Sequence, residues 1–484
     1  MSFYEISEKI LNEAFTENGD KAYKSTGSFC LDYFSIVGGM RYNLTDALNL
    51  FMKSYYEDPI LTIKILFYTR DIRVGLGERE LFRYAFNALA NMYPSVAKQL
   101  IKYVPEYGRY DDLLVLLDST IKNDVLLFIK NQLEIDINNK KEGLPISLLA
   151  KWLPSINTSS SVAREYASQI AEYLGMKQVE YRKTLSFLRK GLIIENNLRE
   201  KDYTFEYPTI PGGAMFKYKN VFLTKDSVRY KQYLEDLSRG KVKINTNTLF
   251  PYEVIRRFEN RVDPSEYPTL DAIWKNFDRT KINSKTIVVR DGSGSMYDGN
   301  SVSANSVATS LAILFAEQLT GEFKDTFITF SSRPQIIKIK GETIEEKYKF
   351  ISTFDEVSNT NLANVFKLIL KVYNHQDFSK EDMLDRIVII SDMEFDCVQG
   401  ANLSTYELFK SELETFGFKI PEIVYWNVRA RSIHFPVMND IGVKLVSGAS
   451  NKIIEMITNH QETNPYQFMI ECLKKYSIFD EIKI

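Results

Sequence analysis

Two hydrophobic rhythms divide the chain. From Asn43 to about Lys190 apolar residues recur at three- and four-residue spacing, as in DALNLFMKSYY, PILTIKILFYTRDI, ERELFRYAFNALANMY and DVLLFIKNQLEI. That spacing gives each segment an apolar stripe and predicts amphipathic helices. The connections are short and carry Gly, Pro or Asp, so the segment reads as a stacked array of helix pairs, without a strict sequence period. Residues 201–250 are less regular: YPTIPGG interrupts them, and RYKQYLEDLSRG predicts a helix. From Ser284 the rhythm changes. TIVVR, TFITFSS, RIVIIS, PEIVYWNV and GVKLVSG predict strands, and TIVVR is apolar without alternation, as suits a strand buried on both faces. Helices are expected near 302–319 (with Val307, Leu311, Leu314 and Phe315 on one face), after Thr360, near 404–416 and at the C-terminus. The fold class is therefore α + α/β. An all-α domain is expected over 1–260, a charged linker with Pro264 and Pro268 over 261–283, and a doubly wound, mostly parallel Rossmann-like domain over 284–484.

Composition leaves that picture intact and narrows the function classes. At 484 residues, 44% hydrophobic and 26% charged, the chain holds enough apolar material for two or more cores. No apolar run reaches membrane-spanning length, and the N-terminus lacks a basic-then-apolar signal; no membrane partner is expected. Cys30, Cys397 and Cys472 are too few and scattered for a disulfide framework, which points to a reducing, cytoplasmic setting. His375, His434 and His460 have no metal-ligand spacing, so a histidine-based nucleophilic triad is poorly supported. The net charge of −2 hides an asymmetry: residues 151–250 hold 17 Lys and Arg against 10 Asp and Glu, whereas the flanks lean acidic. A locally basic segment is a candidate polyanion surface; a solvated helix surface is the plainer alternative.

The candidate chemistry lies at strand ends. TIVVR runs into DGSGS, so Asp291, Ser293 and Ser295 alternate immediately after a buried strand, with Gly292 and Gly294 between them. In open α/β sheets ligands bind at the carboxyl edge. A carboxylate and two hydroxyls are hard oxygen donors suited to Mg²⁺ or Mn²⁺, which need few protein ligands and retain water. A phosphate cradle is excluded because no Gly-Lys-Ser/Thr follows. Thr360 leads a later helix and Asp392 ends RIVIIS, so both belong to the same sheet edge.

This set, Asp291-x-Ser293-x-Ser295 with Thr360 and Asp392, resembles the metal-ion-dependent adhesion site of von Willebrand factor A domains. The resemblance implies an A-type fold and one directly or water-bound divalent cation. Gly292 departs from it, since a larger side chain is common there. The segments TENGDKAYKSTGSFCLDYF, LFYTRDIRVGLGERELFRYAF, VPEYGRYDDLL, ISLLAKWLPS, EYRKTLSFLRKGL and KINTNTLFPYEVI extend it, together with SDMEFD, VYWNVR and GVKLVSGAS. Over nearly the whole chain they resemble a TROVE-related family of viruses, bacteria, plants and fungi, itself similar to the Ro RNA-binding proteins. The resemblance implies HEAT-like TROVE repeats before the A domain, and small structured or single-stranded RNA as partner.

For RNA contact, EYRKTLSFLRKG offers Arg182, Lys183, Arg189 and Lys190, with Tyr181 to stack on a base. YTRDIRVGLGERE offers Arg70, Arg73 and Arg79, although Arg70 beside Asp71 and Arg79 between Glu78 and Glu80 equally suit structural pairs. Asp111 and Asp112 in YGRYDDLL read as helix-start residues, and Lys151 and Trp152 as packing residues. No paired acid and base, Cys/His pair or activated lysine accompanies the cation site, so no enzyme is expected and catalytic residues are none. Two readings remain: a non-catalytic RNA-binding scaffold with a divalent-metal partner site, and a metal-dependent protein-interaction module taking a partner's carboxylate, without RNA. No DNA specificity is expected.

Overall fold

The computed structural model describes residues 3, 7, 10–260, 262–297, 302–355, 361–397, 403–459 and 463–484. The chain forms two compact units. The first comprises Met1–Thr69, Val74–Leu76 and Thr246–Ile478; the second comprises Arg70–Arg73, Gly77–Asn245 and Phe479–Ile484.

The first unit is built on a sheet. Two short strands, β1 (Glu13–Phe15) and β2 (Lys21–Tyr23), form an antiparallel hairpin. Six more, β3 (Thr286–Asp291), β4 (Thr326–Phe330), β5 (Ile336–Lys338), β6 (Arg386–Ser391), β7 (Glu422–Asn427) and β8 (Val443–Ser447), assemble in the order β5-β4-β3-β6-β7-β8. All neighbours are parallel except β4 and β5. The non-alternating strands are buried on both faces, as the sequence predicts. One face carries Ile287, Val289, Ile328, Ile387, Ile389 and Tyr425 against Val365, Phe366, Ile369, Phe409 and Leu413. Phe366 and Phe409 stack there with ring centroids 4.0 Å apart. Helix Ala304–Gln318 packs against β3 and β6 and also against helix Pro251–Glu259. It is therefore buried nearly all round, from Ala304 to Ala316, and not on the single face expected.

The expected partition does not match these units. Met1–Thr69, expected in the helical domain, belongs to the unit built on the sheet. Helix Phe29–Ile36 lies on β8, Gly38 N–H donates to Ser447 Oγ at 2.9 Å, and Ala430 N–H donates to Gly39 O at 2.9 Å. A Cβ on Gly38 would stand 2.5 Å from Ser447 O, so only glycine allows this approach. The expected linker 261–283 contains helix Tyr267–Lys275, whose Leu270, Ile273 and Trp274 are buried. An apolar Leu-x-x-Ile-Trp stripe makes it a packed element.

The second unit is helical, with Arg79–Met92, Lys122–Lys141, Ser161–Tyr173, Gln178–Arg189, Gly212–Lys225 and Ser227–Ser238 as its main elements. Its later helices enclose an aromatic nest in which Tyr207 stacks on Tyr233 at 5.2 Å and meets Phe222 edge-on at 5.3 Å. The segment after Arg109 is a 3₁₀ helix, Tyr110–Asp118. Its buried Asp112 accepts from Arg70 Nε and Arg83 Nε, each at 2.7 Å, and from the Arg109 backbone N–H at 2.9 Å. Asp112 is thus the hub of an ion-pair network as well as a helix-start residue.

Candidate functional site

The carboxyl edge of β3 and β6 gathers four of the five residues expected to hold a cation. Parallel pairing of β3 with β6 sets the ends of both strands side by side. Asp291 is enclosed: its Oδ2 accepts from Ser391 Oγ at 2.6 Å and its Oδ1 from the Ser293 backbone N–H at 2.9 Å. The Ser293 and Ser295 hydroxyls lie 3.0 Å apart, and Ser295 also hydrogen-bonds the Asp392 carboxylate. Thr360 lies outside the described residues.

The electrostatics follow from burial. Asp291 and Asp392 are both 1% exposed. Burial pushes the carboxyl of Asp392 up, and the neighbouring Asp291 charge pushes it further; burial likewise raises Asp291. Asp392 Oδ2 is buried and accepts no hydrogen bond. Two enclosed carboxylates, both raised by burial, beside two hydroxyls, are a donor set that a small divalent cation fits. Among the described residues no three His, Cys, Asp or Glu side chains form a metal cluster; two of the four residues in this set are serines. The backbone is strained at the same place. Met393, directly after Asp392, takes φ 67°, a left-handed conformation that costs a non-glycine residue roughly 1–2 kcal/mol. Its N–H donates to Ser391 Oγ at 3.1 Å.

The structure also accounts for Gly292. A Cβ there would lie 3.2 Å from Asp355 Oδ1 and 3.3 Å from Arg290 Nη1. Arg290, the polar residue inside TIVVRD, is 2% exposed and pairs with Asp355 at 2.5 Å and with Asn305 Oδ1 at 2.6 Å. This buried pair fills the space that a larger side chain would need. Arg431 and Glu17 were not visible as site residues in the sequence. The Arg431 guanidinium is 3.2 Å from Asp392 Oδ2 and 3.1 Å from Glu17 Oε2. Their sequence signals are no more than the second arginine of VYWNVRAR and an acidic residue in TENGD.

In the second unit the seven cations singled out for RNA separate into two kinds. Arg70 is buried against Asp112. Arg189 donates to Ala150 O at 2.8 Å, Leu153 O at 2.7 Å and Ser155 Oγ at 2.7 Å, capping the end of helix Leu149–Trp152. Both are structural, and neither is placed to reach a ligand. Tyr181 is fully buried, with its hydroxyl on Pro154 O at 3.1 Å, so it is no stacking platform. Arg73 is exposed but donates to Glu106 O at 2.6 Å, and Arg79 pairs with Glu80 at 2.8 Å. Arg182, Lys183 and Lys190 are exposed, with no ion pair among the described residues. Along helix Gln178–Arg189, the buried Tyr181, Leu185 and Leu188 define one face. Val179, Arg182, Lys183, Ser186 and Phe187 occupy the other at i, i+3, i+4, i+7 and i+8, with Lys190 just beyond. Phe187 is 45% exposed there, and Glu180 flanks it. Phe187 was missed because an apolar residue in a helical rhythm reads as core.

One family model, described as "Domain of unknown function (DUF2828)", matches residues 16–135 and 125–287, and another, "Domain of unknown function (DUF7788)", matches residues 285–475. The chain is 31% identical over 517 residues to an uncharacterised protein of Acanthamoeba polyphaga mimivirus, covering 96% of this chain and 88% of that relative. The chain belongs to the DUF2828 family. The two models meet within one residue of the start of β3. Among solved structures, the Ro (RSR) protein of Deinococcus radiodurans is similar at 13% identity and TM-score 0.43, over 90% of this chain and 92% of that one.

Proposed function

We propose that the chain is a non-catalytic RNA-binding scaffold whose first unit carries a divalent-cation partner site in an A-type sheet. The observation that carries the RNA half is the outward face of helix Gln178–Arg189. There Arg182 and Lys183 share a face with the exposed Phe187, and Lys190 follows at the end of the helix. Cations on such a face neutralise phosphates, and an exposed ring among them stacks on an unpaired base. The TROVE-like segments of the sequence favour the same class of ligand. The cation half rests on Asp291, Ser293, Ser295 and Asp392, with Thr360 as the fifth expected ligand. Mg²⁺ or Mn²⁺ bound there supplies an electrophilic position for a carboxylate of a protein partner.

The test of the RNA half is salt-dependent binding of a fluorescent single-stranded RNA to the full chain. Replacing Arg182, Lys183 and Lys190 by Gln lowers the slope of log affinity against log salt by about 2 units, at roughly 0.7 per phosphate contact on a single strand. Phe187→Ala weakens binding by about 1–3 kcal/mol with little change in slope. Absence of binding at low salt contradicts the RNA reading and leaves the protein-interaction module as the function.

A further inference from the structure

The contacts between Asp392, Arg431 and Glu17 carry an inference that rests on the cation-site reading above. Arg431 stands between two carboxylates of unlike character. Asp392 is enclosed, whereas the Glu17 side chain is 48% exposed at the rim. The guanidinium reaches both through Nη2, at 3.2 Å and 3.1 Å, and its Nε is buried without a hydrogen-bond partner. This is a one-atom bridge and not the bidentate fork that fixes an arginine on one carboxylate. Asp392 Oδ2 is the oxygen involved, the same one that accepts no hydrogen bond. Arg429 also borders the loop, its Nη1 lying 3.4 Å from Ser295 O.

Glu17 is held beside this pair by its own backbone. The turn between β1 and β2 is closed by Thr16 N–H to Asp20 O at 2.9 Å and Gly19 N–H to Thr16 O at 3.0 Å. It is laid along the loop that follows Asp392. Glu17 N–H donates to Glu394 Oε2 at 2.7 Å, Asn18 Nδ2 to Glu394 O at 2.6 Å, and Thr16 Oγ1 to Phe395 O at 2.6 Å. Cys397 N–H donates back to Asn18 O at 3.1 Å. Glu394 is fixed in turn by His434 Nε2 at 3.1 Å. The Glu17 carboxylate therefore stays within reach of Arg431 whatever occupies the cluster.

We propose that Arg431 is a built-in counter-cation of the site: it holds Asp392 when no divalent ion is bound, and passes to Glu17 when one binds. A divalent ion and a guanidinium on one enclosed carboxylate repel each other, so one of them must leave. The rim carboxylate gives the arginine a partner and keeps its charge from being stranded. Arg431 is thus a competitor of the ion, and Glu17 acts through Arg431 as a positioning residue that weakens the competition. The same exchange makes the arginine's charge, and with it the rim, responsive to the ion.

Mn²⁺ affinity of the full chain, measured by titration calorimetry, tests this with four proteins besides wild type. Arg431→Gln is expected to bind Mn²⁺ about fivefold or more tighter, and Glu17→Gln several-fold weaker, within the coupling range of contacting residues. Arg431→Lys keeps a competing charge and stays close to wild type. The double variant E17Q/R431Q behaves as R431Q alone, because Glu17 acts through the arginine. Near-UV circular dichroism confirms that each variant is folded. Equal or weaker binding by R431Q overturns the proposal. So does an equal loss from E17Q in both backgrounds, which would be a general field effect. Mn²⁺ binding by none of the five proteins overturns the cation-site reading itself, whereas a silent wild type with a binding R431Q supports the competition.

Discussion

The two units put charge to use in opposite ways. The strand edge of the first unit encloses its ionisable groups: Asp291, Asp392 and Arg290 are each at most 2% exposed and tied to neighbours. The outward face of helix Gln178–Arg189 in the second unit leaves Arg182, Lys183 and Lys190 in water. Enclosed charges are worth several kcal/mol to each other and to a bound ion, because little solvent screens them. Exposed charges contribute almost nothing to stability and are available to a polyanion. The number of cations in a segment therefore says little about binding, since in the second unit Arg70 and Arg189 serve internal structure.

The largest expected effect comes from disturbing an enclosed charge there. Asp112→Ala strands Arg70, which is 2% exposed, and should destabilise the second unit by about 3–5 kcal/mol in chemical denaturation. Arg189→Gln breaks the cap on Leu149–Trp152 and should cost about 2 kcal/mol, leaving the salt slope of RNA binding unaltered. If R189Q instead flattens that slope while leaving stability intact, the division between structural and available cations is wrong.

What was legible in the sequence follows the same division. The strand-end aspartates could be read because TIVVR and RIVIIS are compact apolar runs, and a buried parallel strand presents its last residues at a fixed edge. Ser293 and Ser295 followed from alternation. The fates of Arg70 and Arg189 could not be read, because their partners lie at Asp112 and at Ala150 to Ser155, and local sequence does not bring them together. For the same reason the unit boundary was misplaced. Residues 29–36 have an ordinary helical pattern, and only the packing of Gly38 against Ser447 shows which unit they join. The three-residue strands β1, β2 and β5 are too short for any periodicity to emerge.

The smallest expected effect is that of removing the ion from the strand edge. A cation present at about ten times its Kd stabilises the folded chain by about 1.4 kcal/mol. For a unit of this size that shifts Tm by about 5 °C at most. Calorimetric scans with and without chelator should differ by no more than that, and the first unit should stay folded. A collapse of the melting transition in chelator would mean that the ion is structural, as in a caged zinc site.

Whether the enclosed oxygens at the ends of β3 and β6 hold a cation decides the role of the first unit. The most direct measurement is calorimetric titration of Mn²⁺ into the full chain, into Asp291→Ala and into Ser293→Ala. The account predicts one saturable site in the wild type, its loss in D291A and weaker binding in S293A, with Mg²⁺ competing. Mn²⁺ bound equally by the wild type and D291A would contradict it.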